Sequence, residues 1–257
     1  MHVPTLAALT AEGKKPEVLF WVGCAGSFDE RAKKITKSFV KILQKAGVSF
    51  AVLGTEESCT GDPAKRSGNE FLFQMQAMAN IEVMNAYEVT RIVTTCPHCF
   101  NTLKNEYPAL GGQYEVMHHT TFINTLLKEE RFSISGATFK GKRITYHDPC
   151  YLGRHNGIYD EPRELLQQVK GLELSEMVDN REKSLCCGGG GGRIWMETPK
   201  EDRFSELRVR QAVDAGAEVL VTSCPYCITN FTDSSLDLDE GDALVIKDIT
   251  EIILDAL

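Results

Sequence analysis

The chain contains an internal repeat that carries most of its cysteines. The segment IVTTCPHCFNTL (92–103) closely resembles LVTSCPYCITNF (220–231), and each places a Cys-Pro-x-Cys motif directly after an apolar, strand-like run. Self-similarity of this kind indicates the duplication of a structural unit. The sequence therefore predicts two halves with the same fold.

The spacing of the cysteines supports the same division. In each half 36 residues separate a middle cysteine from the Cys-Pro-x-Cys motif, between Cys59 and Cys96 and between Cys187 and Cys224. An earlier cysteine precedes the middle one by 35 positions in the first half and by 37 in the second. The first half contains Cys24, Cys59, Cys96 and Cys99, and the second contains Cys150, Cys186, Cys187, Cys224 and Cys227.

One position distinguishes the two sets of cysteines. Ser58 stands where the second half has Cys186, so the first half offers four thiols and the second five. Four thiolates suit a structural zinc ion or a cubane iron–sulfur cluster, and a noncubane cluster that lacks one ligand is a third interpretation. Five thiolates exceed the four of either ordinary site. The adjacent Cys186 and Cys187 could bind different irons of one irregular cluster.

Apolar, β-branched runs alternate with helical patterns along both halves. The predicted strands are 18–22, 48–52, 91–95, 143–147, 218–222 and 243–247. Alternation of this kind indicates an α/β fold with parallel sheets, Rossmann-like in each half. We predict two domains, residues 1–140 and 141–257, joined near SGATFKGKR at 135–143. Capping-box patterns predict helix starts at Ser27, Ser67 and Thr198.

The positions of the cysteines relative to the strands predict where the thiols meet. In each half the early cysteine and the Cys-Pro-x-Cys motif follow predicted strands, and ligands of open α/β sheets bind at that carboxyl edge. A proline is tolerated in the first turn of a helix, and the free N–H groups at that helix N-terminus favour thiolates. The run Gly188 to Gly192 can adopt positive φ and direct N–H groups at cluster sulfides. A flexible glycine linker is the alternative interpretation.

Composition limits the compartment and the partners. The 257-residue chain is 42% hydrophobic with a formal net charge of -8, which argues against nucleic acid as a partner. No apolar run approaches the roughly 18 residues of a membrane-spanning helix. We therefore expect a cytoplasmic protein without a direct membrane span. An odd count of nine cysteines favours metal or redox chemistry over a disulfide framework.

His147 is the candidate catalytic residue, because it precedes Cys150 and a histidine near a cluster can relay protons or adjust its reduction potential. The alternative is structural, since polar residues at strand ends often satisfy loop backbone groups.

The cysteine blocks resemble a known family. An early cysteine, then Cys-Cys-Gly, then Cys-Pro-x-Cys is similar to the cysteine-rich CCG domains found in the B-type subunits of heterodisulfide reductase. The C-terminal parts of glycolate oxidase, glycerol-3-phosphate dehydrogenase and lactate-utilisation iron–sulfur subunits are also similar. CTGDPAKRSGNE (59–70), TTCPHCFNTLKNEYP (94–108) and TYHDPCYLGRHN (145–156) most resemble iron–sulfur oxidoreductases of electron-transfer-flavoprotein and quinone pathways.

The resemblance implies two duplicated CCG domains related by pseudo-two-fold symmetry. It implies a noncubane 4Fe–4S cluster on the five second-half cysteines, with Gly188 and Gly189 beside it. A cubane 4Fe–4S cluster or zinc is then expected in the first half, whose Cys-Cys-Gly is degenerate. Expected partners are flavoprotein and ferredoxin-type iron–sulfur subunits and, through them, a membrane quinone-linked complex. Alternatives are a zinc-stabilised interaction scaffold and a metal-free dithiol oxidoreductase.

Overall fold

The computed structural model describes residues 3–134, 141–237 and 244–257. Each half contains a parallel sheet of four strands in the same spatial order, second, first, third, fourth. The strands are β1 Val18–Trp21, β2 Phe50–Ala51, β3 Arg91–Thr94 and β4 Glu115–His118, then β5 Arg143–Tyr146, β6 Glu173–Leu174, β7 Val219–Thr222 and β8 Val245–Asp248. The predicted duplicated α/β fold with parallel sheets is confirmed.

Helices connect the strands and cover the sheets. They are α1 Leu6–Ala11, α2 Gly23–Phe28, α3 Glu30–Lys45, α4 Asp62–Arg66, α5 Glu70–Ala86, α6 Pro97–Asn101, α7 His119–Lys128, α8 Asp160–Gln167, α9 Phe204–Asp214, α10 Pro225–Asp237 and α11 Ile249–Asp255. In α3 the apolar side chains Ile35, Phe39, Ile42 and Leu43 are all buried. This apolar stripe packs the helix against the core, as an amphipathic pattern requires.

The predicted N-caps are wrong. Asp29 caps α3 by accepting a hydrogen bond from the Ala32 N–H at 2.7 Å, and Asn69 caps α5. Ser27 lies in α2 and Ser67 ends α4, whose short length hid it in the sequence pattern. The third predicted start, Thr198, precedes α9 by several residues because a separate turn at Lys200–Asp202 intervenes.

The two halves share one hydrophobic core. Phe20 and Phe39 of the first half belong to the same buried cluster as Tyr146 and Val221 of the second. Helix α3 packs against α10 and α11, and α7 packs against α8. These helix contacts join the two halves.

Two sequence predictions concern residues at the edges of the described ranges. The predicted junction at 135–143 begins in residues 135–140, which lie outside the described residues, so the boundary after residue 140 stays a prediction. The first residue of the predicted strand 243–247 also lies outside them. In the part of the chain that the structure describes, no helix is both long and apolar enough to cross a membrane.

Candidate functional site

The four first-half cysteines come from three places at the carboxyl edge of their sheet. Cys24 lies in α2, directly after β1, and Cys59 lies in the loop before α4. Cys96 is the N-cap of α6, with Pro97 in the first turn as predicted, and Cys99 follows one turn later. Cys24 interacts with Cys59 and Cys96 with Cys99, and the two pairs are close enough to interact electrostatically.

A half-buried carboxylate holds the start of α2, which carries Cys24. Glu57 accepts hydrogen bonds from the N–H groups of Val22 at 3.0 Å and Gly23 at 2.6 Å. Burial raises the pKa of Glu57 to about 7, against the effect of these two donors. The hydrogen bond from Cys59 lowers the pKa of Cys24 to about 6. Sequence reasoning missed Glu57, although it lies two residues before Cys59.

The five second-half thiols interact with one another in one continuous series. Cys150 interacts with Cys186, Cys186 with Cys187, Cys187 with Cys227, and Cys227 with Cys224. Cys150 follows β5, the adjacent pair lies in the glycine-rich loop, and Cys224 directly precedes α10. The structure thus brings together all five thiols that the sequence grouped.

The thiols of each set differ in how deeply they are buried. The Cys-Pro-x-Cys thiols and Cys187 are buried, whereas Cys24, Cys59, Cys150 and Cys186 are half-buried. Hydrogen bonds from Cys150 and Cys187 hold the pKa of Cys186 well below its ordinary value. The contact with Cys186 and burial raise the pKa of Cys150. Each set is therefore closed on the motif side and open toward solvent on the other.

The glycine run has the local structure that the sequence predicts. Gly188 adopts φ +83°, and its N–H donates to Cys186 Sγ at 3.3 Å while the Gly189 N–H donates to Cys187 Sγ at 3.5 Å. A Cβ on Gly189 would lie 2.8 Å from Asn230 Nδ2, which itself donates to the Cys187 carbonyl. The loop is therefore held by side-chain contacts, and the linker interpretation is wrong.

A buried chain of polar groups leads to Cys227. Arg208 is fully buried, and its Nε donates to His147 Nδ1 at 3.1 Å. Because Nδ1 accepts this bond, Nε2 carries the imidazole proton, and it donates to Cys227 Sγ at 3.6 Å. Burial and the Arg208 charge lower the pKa of His147 and keep it neutral. The structure places His147 as a hydrogen-bond donor to a thiol; its catalytic role stays a prediction.

A buried ion pair positions the loop of Cys150. Arg163 donates to both carboxylate oxygens of Asp148, at 2.7 and 3.0 Å. The same guanidinium contacts Glu176 at 2.6 Å, and Asp148 also accepts from the Arg181 N–H. Asp148 thereby fixes the chain two residues before Cys150.

The residue between the two cysteines of each motif contacts the opposite half. Tyr226 Oη lies 3.4 Å from Cys24 Sγ, and the His98 imidazole interacts with the Cys224 thiol. His98 Nδ1 also bonds to Asp62 Oδ2 at 2.9 Å. Burial raises the pKa of Cys224, but the contacts with Cys227 and His98 outweigh this effect and lower the pKa to about 5. No sequence pattern indicated these contacts, because they depend on how the halves pack together.

A cavity of about 970 Å³ opens beside the second-half thiols. Cys187, Gly188 and Asn230 form one side of it, and Trp195 and Phe204 line another. Its volume is in the range of small-molecule sites. A ligand in this cavity would reach Cys187, in the middle of the thiol series.

The donor set fits an iron–sulfur cluster in each half. Thiolates are the ligands of such clusters, and N–H groups directed at sulfur are their usual second partners. In residues 3–134, 141–237 and 244–257, no three His, Cys, Asp or Glu side chains form a site for a single metal ion.

Comparison with known proteins identifies the family. The model of the CCG cysteine-rich domain matches twice, over residues 18–104 and 144–232, and each match spans one set of motifs. The chain belongs to the CCG cysteine-rich domain family. This identification confirms the resemblance drawn from the Cys-Cys-Gly and Cys-Pro-x-Cys motifs.

Three curated relatives extend the comparison beyond the CCG family model. The chain is 43% identical over 252 residues to the probable iron-sulfur-binding oxidoreductase FadF of Bacillus subtilis, covering 98% of this chain and 36% of the relative. It is 41% identical to the EtfAB:quinone oxidoreductase of Syntrophomonas wolfei, covering 97% and 35%. It is 32% identical to the D-type subunit of the dihydromethanophenazine:CoB–CoM heterodisulfide reductase of Methanosarcina barkeri, covering 95% and 59%.

The chain matches only part of the length of each of these relatives. This chain spans about a third of the length of the first two relatives and over half of the third. The heterodisulfide reductase relative is of the D type, whereas the cysteine motifs resemble those of the B type. The chain is therefore related to iron–sulfur oxidoreductases across nearly its whole length.

Proposed function

We propose that this chain is an iron–sulfur redox subunit of the heterodisulfide reductase type. Its second half binds a noncubane 4Fe–4S cluster through five cysteines, and its first half binds a cubane 4Fe–4S cluster through four. The unit transfers electrons between partner flavoproteins or ferredoxin-type iron–sulfur subunits and a disulfide or quinone-linked acceptor. The observation that carries the proposal is the continuous series of interactions that joins all five second-half thiols.

Three features of the second half support this assignment. The five thiols come from three separate segments, which a linear dithiol motif would not require. The N–H groups of Gly188 and Gly189 already point at sulfur atoms, so an anionic group finds donors in place. Arg208 orients His147 so that its Nε2–H faces Cys227.

The cluster, when bound, supplies one-electron redox chemistry that the protein side chains lack. The chain's own contribution is to fix the thiols, surround the Cys-Pro-x-Cys side with apolar residues, and leave the other side accessible. The cavity at Cys187 offers the acceptor a place beside the second-half thiols. Trp195 and Phe204 in its lining suit an acceptor with apolar surface.

The names of the relatives support the proposed partners. One is a quinone oxidoreductase named for EtfAB, and another is part of a heterodisulfide reductase. We propose that this chain meets a membrane quinone-linked complex only through such partners and works in the cytoplasm, where its nine free cysteines remain reduced.

Metal and sulfide analysis of anaerobically purified protein tests the proposal. We expect iron and acid-labile sulfide in amounts for two 4Fe–4S clusters, with a broad visible absorption. Zinc in both sites and a colourless protein would replace the proposal with a zinc-stabilised scaffold. A metal-free protein with a measurable dithiol potential would indicate a dithiol oxidoreductase instead.

Ser58→Cys is expected to change the visible and electron paramagnetic resonance spectra of the first-half cluster. The substitution restores a fifth thiol next to Cys59, at the position that Cys186 occupies in the other half. The Ser58 hydroxyl donates to Asn80 Oδ1 at 3.0 Å, and a thiol makes a weaker bond there. Ser49→Cys, at the opposite edge of the sheet, is the control. Spectra identical to wild type would show that residue 58 is not a ligand position.

A further inference from the structure

The two Cys-Pro-x-Cys motifs cross over between the halves. In each motif the cysteines belong to their own half, while the side chain between them reaches the thiols of the other. Tyr226 lies in the second-half motif and its hydroxyl is 3.4 Å from Cys24 Sγ, across 202 residues of sequence. His98 lies in the first-half motif, and its imidazole is close enough to Cys224 to interact with that thiol.

The two crossing side chains also contact each other. The ring centroids of His98 and Tyr226 are 5.2 Å apart in an edge-to-face arrangement. His98 is held from its other side by Asp62, and Tyr151 lies against its ring at 4.2 Å. A Cβ on Gly190 would come within 3.2 Å of His98 Cε1, so the glycine run leaves room for this ring. Both side chains are therefore fixed by packing rather than free in a loop.

We propose that each set of thiols is completed by the opposite half, with Tyr226 as a positioning residue for the first-half cluster and His98 for the second-half cluster. This inference rests on the proposed function, because it concerns clusters bound to these thiols. A hydrogen bond to a ligand sulfur stabilises the reduced, more negative cluster and so raises its reduction potential. Tyrosine is protonated at neutral pH and donates such a bond.

The crossover makes the two sites unequal in a specific way. The first-half site receives a neutral phenol, and the second-half site receives an imidazole tied to a carboxylate. The potentials of both sites then depend on the interface between the halves, so a change in one motif acts on the cluster held by the other. If these side chains had a purely structural role, a change in one motif would not alter the reduction potential of the cluster held by the other.

Tyr226→Phe in a Cys187→Ser background tests the inference, because only the first-half cluster should remain there. We expect a more negative midpoint potential for that cluster, measured by redox titration followed by electron paramagnetic resonance. The substitution keeps the ring against His98 and removes only the hydroxyl. Tyr146→Phe is the matched control, since its buried hydroxyl bonds to Ser223 rather than to a thiol, and it should leave the potential unchanged.

The reciprocal experiment uses His98→Gln in a Cys59→Ser background, where the second-half cluster remains. We expect the midpoint potential of that cluster to shift. His155→Gln is the control, because His155 is an exposed histidine stacked on Tyr151, and it should leave the potential unchanged. Loss of the remaining iron with Tyr226→Phe or His98→Gln, but not with the control, also supports the crossover.

The outcomes separate this inference from the proposed function. Retained iron with an unshifted potential in both crossing variants overturns the inference alone. Absence of iron and sulfide from the wild-type protein overturns the proposed function and the inference with it. If the Cys187→Ser protein proves to be iron-free, Tyr226→Phe and Tyr146→Phe are made in the wild-type protein instead. The midpoint potentials of both clusters are then titrated, and an unshifted first-half potential in Tyr226→Phe again overturns the inference.

Discussion

Cys187→Ser is expected to remove most of the iron and sulfide of the second half while the first half keeps its metal. Cys187 is 3% exposed and bonds to both Cys186 and Cys227, so it joins the two ends of the thiol series. Loss of an outer hydrogen-bond partner typically lowers metal affinity about 10–100-fold, and loss of a ligand should cost more. Iron per chain and the visible spectrum of anaerobically purified protein measure the effect.

Cys59→Ser is the matched variant, because Cys59 has the corresponding position in the first half. It should remove the first-half metal and leave the second-half cluster. Equal loss of both metals from either variant would contradict the assignment of two separate ligand sets. Retention of all iron in Cys187→Ser would mean that Cys187 is not a ligand.

Arg208→Met should strongly destabilise the second half and weaken its cluster. The Arg208 guanidinium is fully buried and donates to the Asp179 carbonyl, Ser184 Oγ and His147 Nδ1. Without it these acceptors lose a donor inside the core, and a buried polar group left without a partner typically costs about 1–3 kcal/mol. His147 also loses the bond that fixes its tautomer, so its donation to Cys227 weakens. Urea unfolding and iron content measure the two effects.

Arg210→Met is the matched control, since it changes the same residue type at an exposed position of the same helix. We expect its stability within about 0.5 kcal/mol of wild type, as for most surface substitutions, and its iron content unchanged. An Arg208→Met protein with wild-type stability would show that the buried contacts of Arg208 contribute little. Normal stability with reduced iron would place its role at the cluster alone.

Local sequence patterns predicted much of the fold. The strands β1, β3, β5 and β7 are buried, and short apolar runs are typical of such strands. The two-residue strand β6 was missed because Glu173–Leu174 has too few residues to show a pattern. The N-caps were misplaced by two residues, because the short helices α2 and α4 contain or end at the serines that resembled caps.

The thiol groups could be predicted, but much of what surrounds them could not. Each cysteine follows a strand or lies in a loop at the same edge, which is local information that spacing and periodicity preserve. Glu57, Arg163 and Arg208 act through contacts with distant segments, and charged residues of this kind are usually expected on the surface. Their burial becomes visible only when their partners are known.

The sequence by itself determined the duplication, the parallel sheets and the two sets of four and five thiols. These follow from a repeated spacing and from strand patterns, which act over a few residues. The tertiary structure alone decided that Tyr226 reaches Cys24 and that His98 reaches Cys224. The physical reason is that these contacts join opposite halves, so they arise only when both sheets pack around the shared core and bring the two motifs together.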